Sequence, residues 1–278
     1  MPKARSSIIT IAKYTLMDQV RQKSFIIMFV MCALFLLLVR NCSQGGFMVN
    51  GQTLDNEAVV RVVLKAVFHI NAAGTMFLAA LFSMRVFKRD RDEGMQSCIL
   101  SKPITRWQYV AGKILGLSVL SVAFMFILHS IVFIMVSVNL KVVMPEYLIA
   151  SLLCSFNLLF VVVAVLLFSL LMPDIIAFLC VTGIGIVSFV ADGIAAVSRS
   201  PMGQAMMQQS DSTSDLSLWK VIYYLWPKLS GIQQAASSMF SREGFQGFLS
   251  IYPFINILIY SLILGALLFW RFRHEDII

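Results

Sequence analysis

Charged residues are scarce in this chain of 278 residues. Asp, Glu, Lys and Arg together make up 13% of it, whereas 59% is hydrophobic, and the mean hydropathy is +0.85. So few charges cannot cover a soluble core with a polar surface. The composition therefore excludes an ordinary soluble domain and predicts an integral membrane protein.

Sites for ATP and for metals are also missing from the sequence. No Gly-x-x-x-x-Gly-Lys-Ser/Thr phosphate loop occurs, so the chain cannot bind ATP by that device, and any ATP-derived power would come from another subunit. The five cysteines are scattered and form neither a disulfide framework nor a metal-ligand spacing. We therefore expect no catalytic residue, cofactor or metal in this chain.

Long apolar runs predict the membrane spans. A spanning helix needs about 20 mainly apolar residues, and six segments are candidates. They are 24–39, 70–87, 114–140, 148–172, 175–191 and 251–270. The first is short, and the third is long enough to tilt or to protrude from the bilayer. The predicted fold is an all-α integral membrane protein with one transmembrane domain over 1–278, including short helices in an outer loop at 192–250.

Lys and Arg are unevenly distributed between the loops. If the N-terminus lies inside, fourteen of the 22 cations fall on inner segments. The positive-inside rule then predicts a multi-pass protein of the plasma or inner membrane, with both termini and the loop at 88–113 in the cytoplasm. The net charge of +8 needs no nucleic acid partner, because anionic lipids of the inner leaflet are a sufficient partner.

The first 23 residues have the pattern of a basic amphipathic helix. Isoleucines dominate one side, whereas Lys13, Asp18 and Arg21 fall on the other. Such a helix, running directly into a span, is expected to lie in the membrane interface. It is either a simple anchor or an elbow helix that docks a cytoplasmic partner.

The inner loop at 88–113 combines clustered charge with a small apolar face. Three acidic residues are expected at the start of a short helix, where negative charge meets the positive end of the helix dipole. They are Asp90, Asp92 and Glu93. Met95 and Ile99 would form its apolar face, and Pro103, which has no N–H, would end it. A helix of this kind between two spans predicts a docking site for a partner.

The helix after this loop has its own start signal. Thr105 and Gln108 have the spacing of a capping box, in which the later side chain accepts a hydrogen bond from the backbone of the earlier residue. The third span is therefore expected to start here.

His129 is the only ionisable residue deep in a predicted span. Such residues are functional hypotheses by default, so it is a candidate intramembrane polar site. No span contains a carboxylate partner, which disfavours a proton relay. We expect a neutral His129 that is hydrogen-bonded between helices.

The outer loop contains a run of aromatic residues at 217–231. Trp and Tyr suit the interface between water and lipid, because their rings have an apolar body and a polar edge. We expect this segment on the outer membrane surface, followed by a short helix around 232–240.

The inner loop resembles that of the permease subunits of ABC exporters of the second type, including six-span members associated with copper-enzyme maturation. The residues that carry the resemblance are RDEG at 91–94, LSKPITR at 100–106 and the Gly112-Lys113 pair. The outer LWPKL at 225–229 and the ending FRHEDII at 272–278 are also similar to family features.

The resemblance implies a machine of four subunits. Two permeases, expected here to be identical copies, would pair in the membrane, and two ATPase subunits would bind ATP and Mg below them. The loop would act as a coupling helix in a groove of the ATPase, with the elbow helix beside it. The residues placed in this coupling role are Arg91, Asp92, Glu93, Gly94, Met95, Gln96, Ile99, Pro103 and Arg106.

Few polar side chains lie within the predicted spans, which disfavours a wide hydrophilic channel. A lipid-like or amphiphilic cargo, or work done on an outer partner, fits better. The alternative is a membrane scaffold or signalling assembly that binds a partner through the same inner loop but transports nothing.

Overall fold

The structure is a computed structural model that describes residues 2–42, 48–49, 52–53, 56–95, 101, 104–140, 144–199, 223, 225–240 and 248–274. These residues form a helical bundle. Its helices are α1 (Pro2–Arg21), α2 (Lys23–Cys42), α3 (Asn56–Met84), α4 (Val86–Asp92), α5 (Arg106–Leu140), α6 (Glu146–Cys154), α7 (Phe156–Leu171), α8 (Asp174–Arg199), α9 (Leu229–Ser237) and α10 (Phe248–Arg273). Two short antiparallel strands, β1 (Met48–Val49) and β2 (Gln52–Thr53), form a hairpin between α2 and α3.

Five stretches of the described chain are long and apolar enough to cross a membrane. They are Arg61–Asp92, Arg106–Val138, Glu146–Leu171, Asp174–Ala195 and Ile251–Arg273. They confirm a multi-span helical membrane protein and match five of the six predicted spans. The predicted span at 24–39 lies in α2, of which Phe25–Leu34 is the apolar part whose side chains the structure describes. A sixth span therefore stays a prediction.

The helices extend beyond the predicted spans. The second span begins at Arg61 and the third at Arg106, because a helix continues past the hydrocarbon wherever its polar residues reach the interface. The fourth predicted span is divided at Ser155 into α6 and α7. The N–H of Ser155 bonds to the carbonyls of Ser151 and Leu152, so the backbone stays hydrogen-bonded through the turn.

The acidic cluster ends a helix rather than beginning one. Asp90 and Asp92 lie in the last turn of α4, and Glu93 follows as its C-cap. Gly94 then adopts a φ of 66°, the left-handed conformation that commonly ends helices. The prediction that these acids occupy a first helical turn is therefore wrong, because the second span continues through Arg85 into α4.

The rest of the predicted coupling helix is only partly described. Gln96, Ile99 and Pro103 lie outside the described residues. The start of the third span is confirmed, since α5 begins at Arg106 and the Thr105 N–H donates to Gln108 Oε1 at 3.1 Å.

The short helix α9 is buried inside the bundle. It packs against α3, α6, α8 and α10, and Ile232, Gln233 and Ala236 are fully buried. Asn157 Nδ2 donates to the Leu229 carbonyl at 2.8 Å, so a buried amide of the fourth span helps to hold the start of this helix.

The end of the aromatic segment at 217–231 packs into the bundle. Its residues from Pro227 onward are buried or nearly so, whereas Leu225 is 70% exposed. The location of the segment on the outer membrane surface stays a prediction. The Lys228 N–H donates to Asn256 Oδ1 at 3.0 Å, so a backbone donor of this buried segment has a hydrogen-bond partner on α10. Positions 217–222 and 224 lie outside the described residues.

Candidate functional site

Four elements meet at one end of the bundle. Lys88 Nζ of α4 lies 4.0 Å from Asp174 Oδ2 at the start of α8. Arg106 Nη1 at the start of α5 donates to the Arg273 carbonyl at the end of α10, at 2.9 Å. We call this region, where the inner loop leaves and re-enters the bundle, the loop end. Asp192 lies 18 residues further along α8 than Asp174, about 27 Å away and at the opposite end, which we call the far end.

A buried ion pair joins the two sides of the inner loop. Lys113 Nζ of α5 lies 2.6 Å from Asp90 Oδ2 of α4, and the two residues are only 5% and 1% exposed. The Tyr109 hydroxyl donates to the same carboxylate oxygen. We call Asp90, Tyr109 and Lys113 the loop-end triad.

Aromatic packing encloses this triad. The Tyr109 ring stacks on Phe272 of α10 with a centroid distance of 5.7 Å, and Phe87 of α4 lies 5.5 Å from Phe272. The apolar surroundings strengthen the attraction between the charges and exclude water from it. The triad therefore ties α4 to α5 within a dry part of the loop end.

The helix α1 packs closely on α5 through two glycines. A Cβ atom on Gly112 would lie 2.7 Å from Ile11 Cβ, and one on Gly116 would lie 2.7 Å from the Ala12 carbonyl oxygen. This is the small-xxx-small arrangement that lets membrane helices approach each other. Asp18 of α1 also forms a salt bridge with Arg89 of α4. The predicted elbow helix is thus joined to both sides of the inner loop.

The predicted coupling residues at the tip of α4 are exposed. The side chain of Glu93 is 53% exposed, and its Oε1 lies 4.0 Å from Arg89 Nε. The other exposed members are Arg91, Asp92, Gly94 and Met95. Arg89 lies between Glu93 of this acidic tip and Asp18 of α1. Lys13 and Arg21, the other predicted residues of α1, are exposed.

His129 is buried beyond the middle of α5. Its Nδ1 shares a hydrogen bond with the Met125 carbonyl of its own helix at 2.9 Å. It contacts neighbouring helices through aromatic rings, at centroid distances of 4.9 Å to Phe68 and 5.6 Å to Tyr147. The structure therefore places His129 among aromatic side chains and apart from the loop end.

The far end has a triad of the same residue types. Lys228 Nζ lies 3.4 Å from Asp192 Oδ1, and the Tyr223 hydroxyl donates to the same oxygen at 2.8 Å. Both charged side chains are buried. We call Asp192, Tyr223 and Lys228 the far-end triad.

Sequence reasoning missed both triads and the docking of α1. The Gly-x-x-x-Gly spacing of residues 112 and 116 is a signal for close helix packing and could have predicted that contact. The triads have no comparable signal, because each aspartate is at least 19 residues from its Tyr and Lys partners. Each charge, taken alone, has the sequence context of an exposed residue near the membrane surface.

A comparison with protein families agrees with the helical architecture and the spans. The family model described as ABC-2 family transporter protein matches residues 9–277. No curated protein matches the chain. Because the match covers nearly the whole chain, the protein belongs to the ABC-2 family of transporter proteins.

Proposed function

We propose that this chain is the permease subunit of an ATP-driven exporter and that a separate ATPase binds it at the loop end. Membership of the ABC-2 family supports a membrane permease of an ABC transporter. The observation that carries the finer proposal is the exposed tip at Glu93, Gly94 and Met95. It directly follows the part of α4 that is joined to α5 by a buried ion pair and to α1 by a salt bridge. An exposed segment at the end of a helix that is held to two other helices suits a partner that exerts force on that helix.

The proposed assembly contains two identical copies of this permease and two ATPase subunits. ATP and Mg are bound by the ATPases. The helix α2 is the first of six spans, and both termini and the loop end face the cytoplasm of a plasma or inner membrane. The excess of Lys and Arg on the segments of the loop end supports this orientation.

The proposed cargo is lipid-like or amphiphilic, or the protein does work on an outer partner. The core between α3, α5, α6 and α7 is mainly apolar and aromatic, with side chains such as Phe68, Phe124 and Phe160, and it also holds single polar side chains such as Asn71 and Asn157. A mainly apolar core of this kind does not favour a wide hydrophilic channel. An apolar cargo could instead move along the exposed apolar faces of the spans.

Replacing Glu93→Lys tests the proposed ATPase site. Reversal of this exposed charge should reduce copurification of the ATPase and its turnover by at least about tenfold, because an unfavourable charge at an interface is costly to binding. The spans should stay folded. Glu146→Lys is the matched control, since Glu146 is an exposed acid on α6 at the far end. Equal copurification and turnover in the Glu93 variant and the parent would refute the site.

Transport and scaffolding are separated by ATP turnover in vesicles. An exporter of amphiphiles should hydrolyse ATP faster when a candidate amphiphile is added to proteoliposomes that contain the complex. Turnover that no lipid or detergent-like compound changes, together with stable ATPase binding, would favour a scaffold.

A further inference from the structure

The loop-end triad lies where the inner loop leaves and re-enters the bundle. Asp90 stands three residues before Glu93, at the end of α4, and Lys113 lies in the third turn of α5. Their 2.6 Å contact therefore bridges the base of the loop, on either side of its exposed tip. Each charge is almost fully enclosed by protein.

Stability alone is a poor explanation for this pair. Burying two charges has a desolvation penalty that their attraction often fails to exceed, and apolar replacements of both partners are frequently neutral or stabilising. A buried pair does, however, demand one geometry, because neither charge tolerates the loss of its partner. The pair thus favours a single arrangement of α4 and α5.

Neighbouring contacts extend this arrangement to α1. Arg89, next to Asp90, pairs with Asp18 of α1. Gly112, next to Lys113, packs against Ile11 of α1. Each side of the loop base is therefore bonded both to the other side and to the same third helix.

We propose that Asp90, Tyr109 and Lys113 are positioning residues that lock α4, α5 and α1 into one unit at the base of the inner loop. A force applied to the loop is then transmitted to the second and third spans together instead of bending one relative to the other. The role in transmission rests on the proposed function, whereas the locking is a property of the permease itself.

Hydrogen exchange in the full-length permease tests the locking without any partner. The variants are Asp90→Asn, the double variant Asp90→Asn/Lys113→Met and the milder Tyr109→Phe, each in lipid nanodiscs. Backbone amides in 86–95 and 104–113 should exchange at least about tenfold faster in Asp90→Asn, because it leaves a buried cation without its partner. Asp192→Asn changes the same residue type in the far-end triad and should leave both segments unchanged.

The double variant separates positioning from stability. It has no uncompensated buried charge, so its thermal unfolding should match that of the parent. Exchange in the two segments should nevertheless stay raised, about threefold or more, because the contact that selects one arrangement is gone. Tyr109→Phe keeps the ring and removes only the hydroxyl, so it should fold and show a smaller rise in the same segments.

Parent-like exchange in Asp90→Asn, or in a folded double variant, would overturn the proposal. The ATPase provides a second readout: with its ATPase bound, the double variant should keep the affinity for the ATPase and lose at least about half of the permease-dependent change in turnover. If the parent permease binds no ATPase but exchange rises in the variants as expected, the proposed function is wrong and the locking stands. If the variants bind the ATPase with normal turnover and their exchange is the same as in the parent, only the locking is wrong.

Discussion

The two triads use the same three residue types and differ in the length of the contact between lysine and aspartate. At the loop end, Lys113 Nζ approaches Asp90 to 2.6 Å, whereas at the far end Lys228 Nζ lies 3.4 Å from Asp192. Asp192 Oδ2 is also buried without a hydrogen-bond partner among the described residues.

The elements that each triad joins differ as well. The loop-end triad connects two helices that flank a short inner loop, and a third helix, α1, packs on α5 and forms a salt bridge with α4. The far-end triad connects the end of α8 to the segment that leads into the buried helix α9. The loop-end triad therefore has the shorter ion pair and links helices on both sides of a loop, whereas the far-end triad has a longer ion pair and links one helix to a connecting segment.

The largest expected difference follows from removing one lysine from each triad. Lys113→Met should lower the free energy of unfolding by about 3–5 kcal/mol, because it leaves the Asp90 carboxylate buried and unpaired. Lys228→Met also leaves a buried carboxylate, that of Asp192, without its lysine, but it should lower the free energy of unfolding by less, about 3 kcal/mol or below, because the 3.4 Å contact that it removes is weaker than the 2.6 Å contact of Asp90. Unfolding of both variants in mixed micelles measures the difference. An equal loss of stability in the two variants would contradict the inferred difference between the two triads.

Glycine substitutions test the packing at the two ends. Gly112→Ala and Gly116→Ala should each lower the free energy of unfolding by about 1–3 kcal/mol and loosen α1, because their new Cβ atoms overlap α1. Gly231→Ala should have a smaller effect at the far end, where the nearest atom, Pro253 Cγ, is 3.0 Å away.

The control for these glycine variants is Gly74→Ala. A Cβ there meets no described atom within 4 Å, and Ala gains up to about 1 kcal/mol of helix propensity over Gly. It should be neutral or stabilising. Losses of equal size at Gly74 and Gly112 would show that α1 does not pack on α5 as closely as described.

The smallest effect is expected from the exposed ion pair of the loop end. Lys88→Met should change the free energy of unfolding by less than about 0.5 kcal/mol, because the side chain is 61% exposed and its contact with Asp174 is 4.0 Å long. Unfolding at low and high salt measures it. A loss of stability as large as that of Lys113→Met would mean that burial does not explain the difference between the Lys88–Asp174 and Lys113–Asp90 pairs.

Hydropathy predicted most of the architecture. The spans were predicted correctly because an apolar run of about 20 residues is stable inside a bilayer and in few other environments. The start of the second span at Arg61 was missed, since a hydropathy window stops at the first charges while the helix continues. The start of the third span at Arg106 was predicted by the capping box of Thr105 and Gln108 and not by hydropathy. The division at Ser155 was missed because neither Pro nor Gly marks it.

The site was predicted less completely than the fold. The acidic tip was identified as a candidate from its charge, but Asp90 and Asp92 were expected at the start of a helix and lie at the end of one, before the left-handed Gly94. Asp90 was grouped with Asp92, although one is buried and the other exposed. Burial of a single charge depends on a partner 23 residues away, and no local pattern encodes that contact.

The most direct test of the account asks which end of the bundle contacts the ATPase. Met95 at the loop end and Met239 at the far end are both 42% exposed, so they are matched positions for a photo-crosslinking amino acid. We expect the ATPase to crosslink to the position of Met95 and not to that of Met239. Crosslinking at Met239, or at neither position in a complex that copurifies, would contradict it.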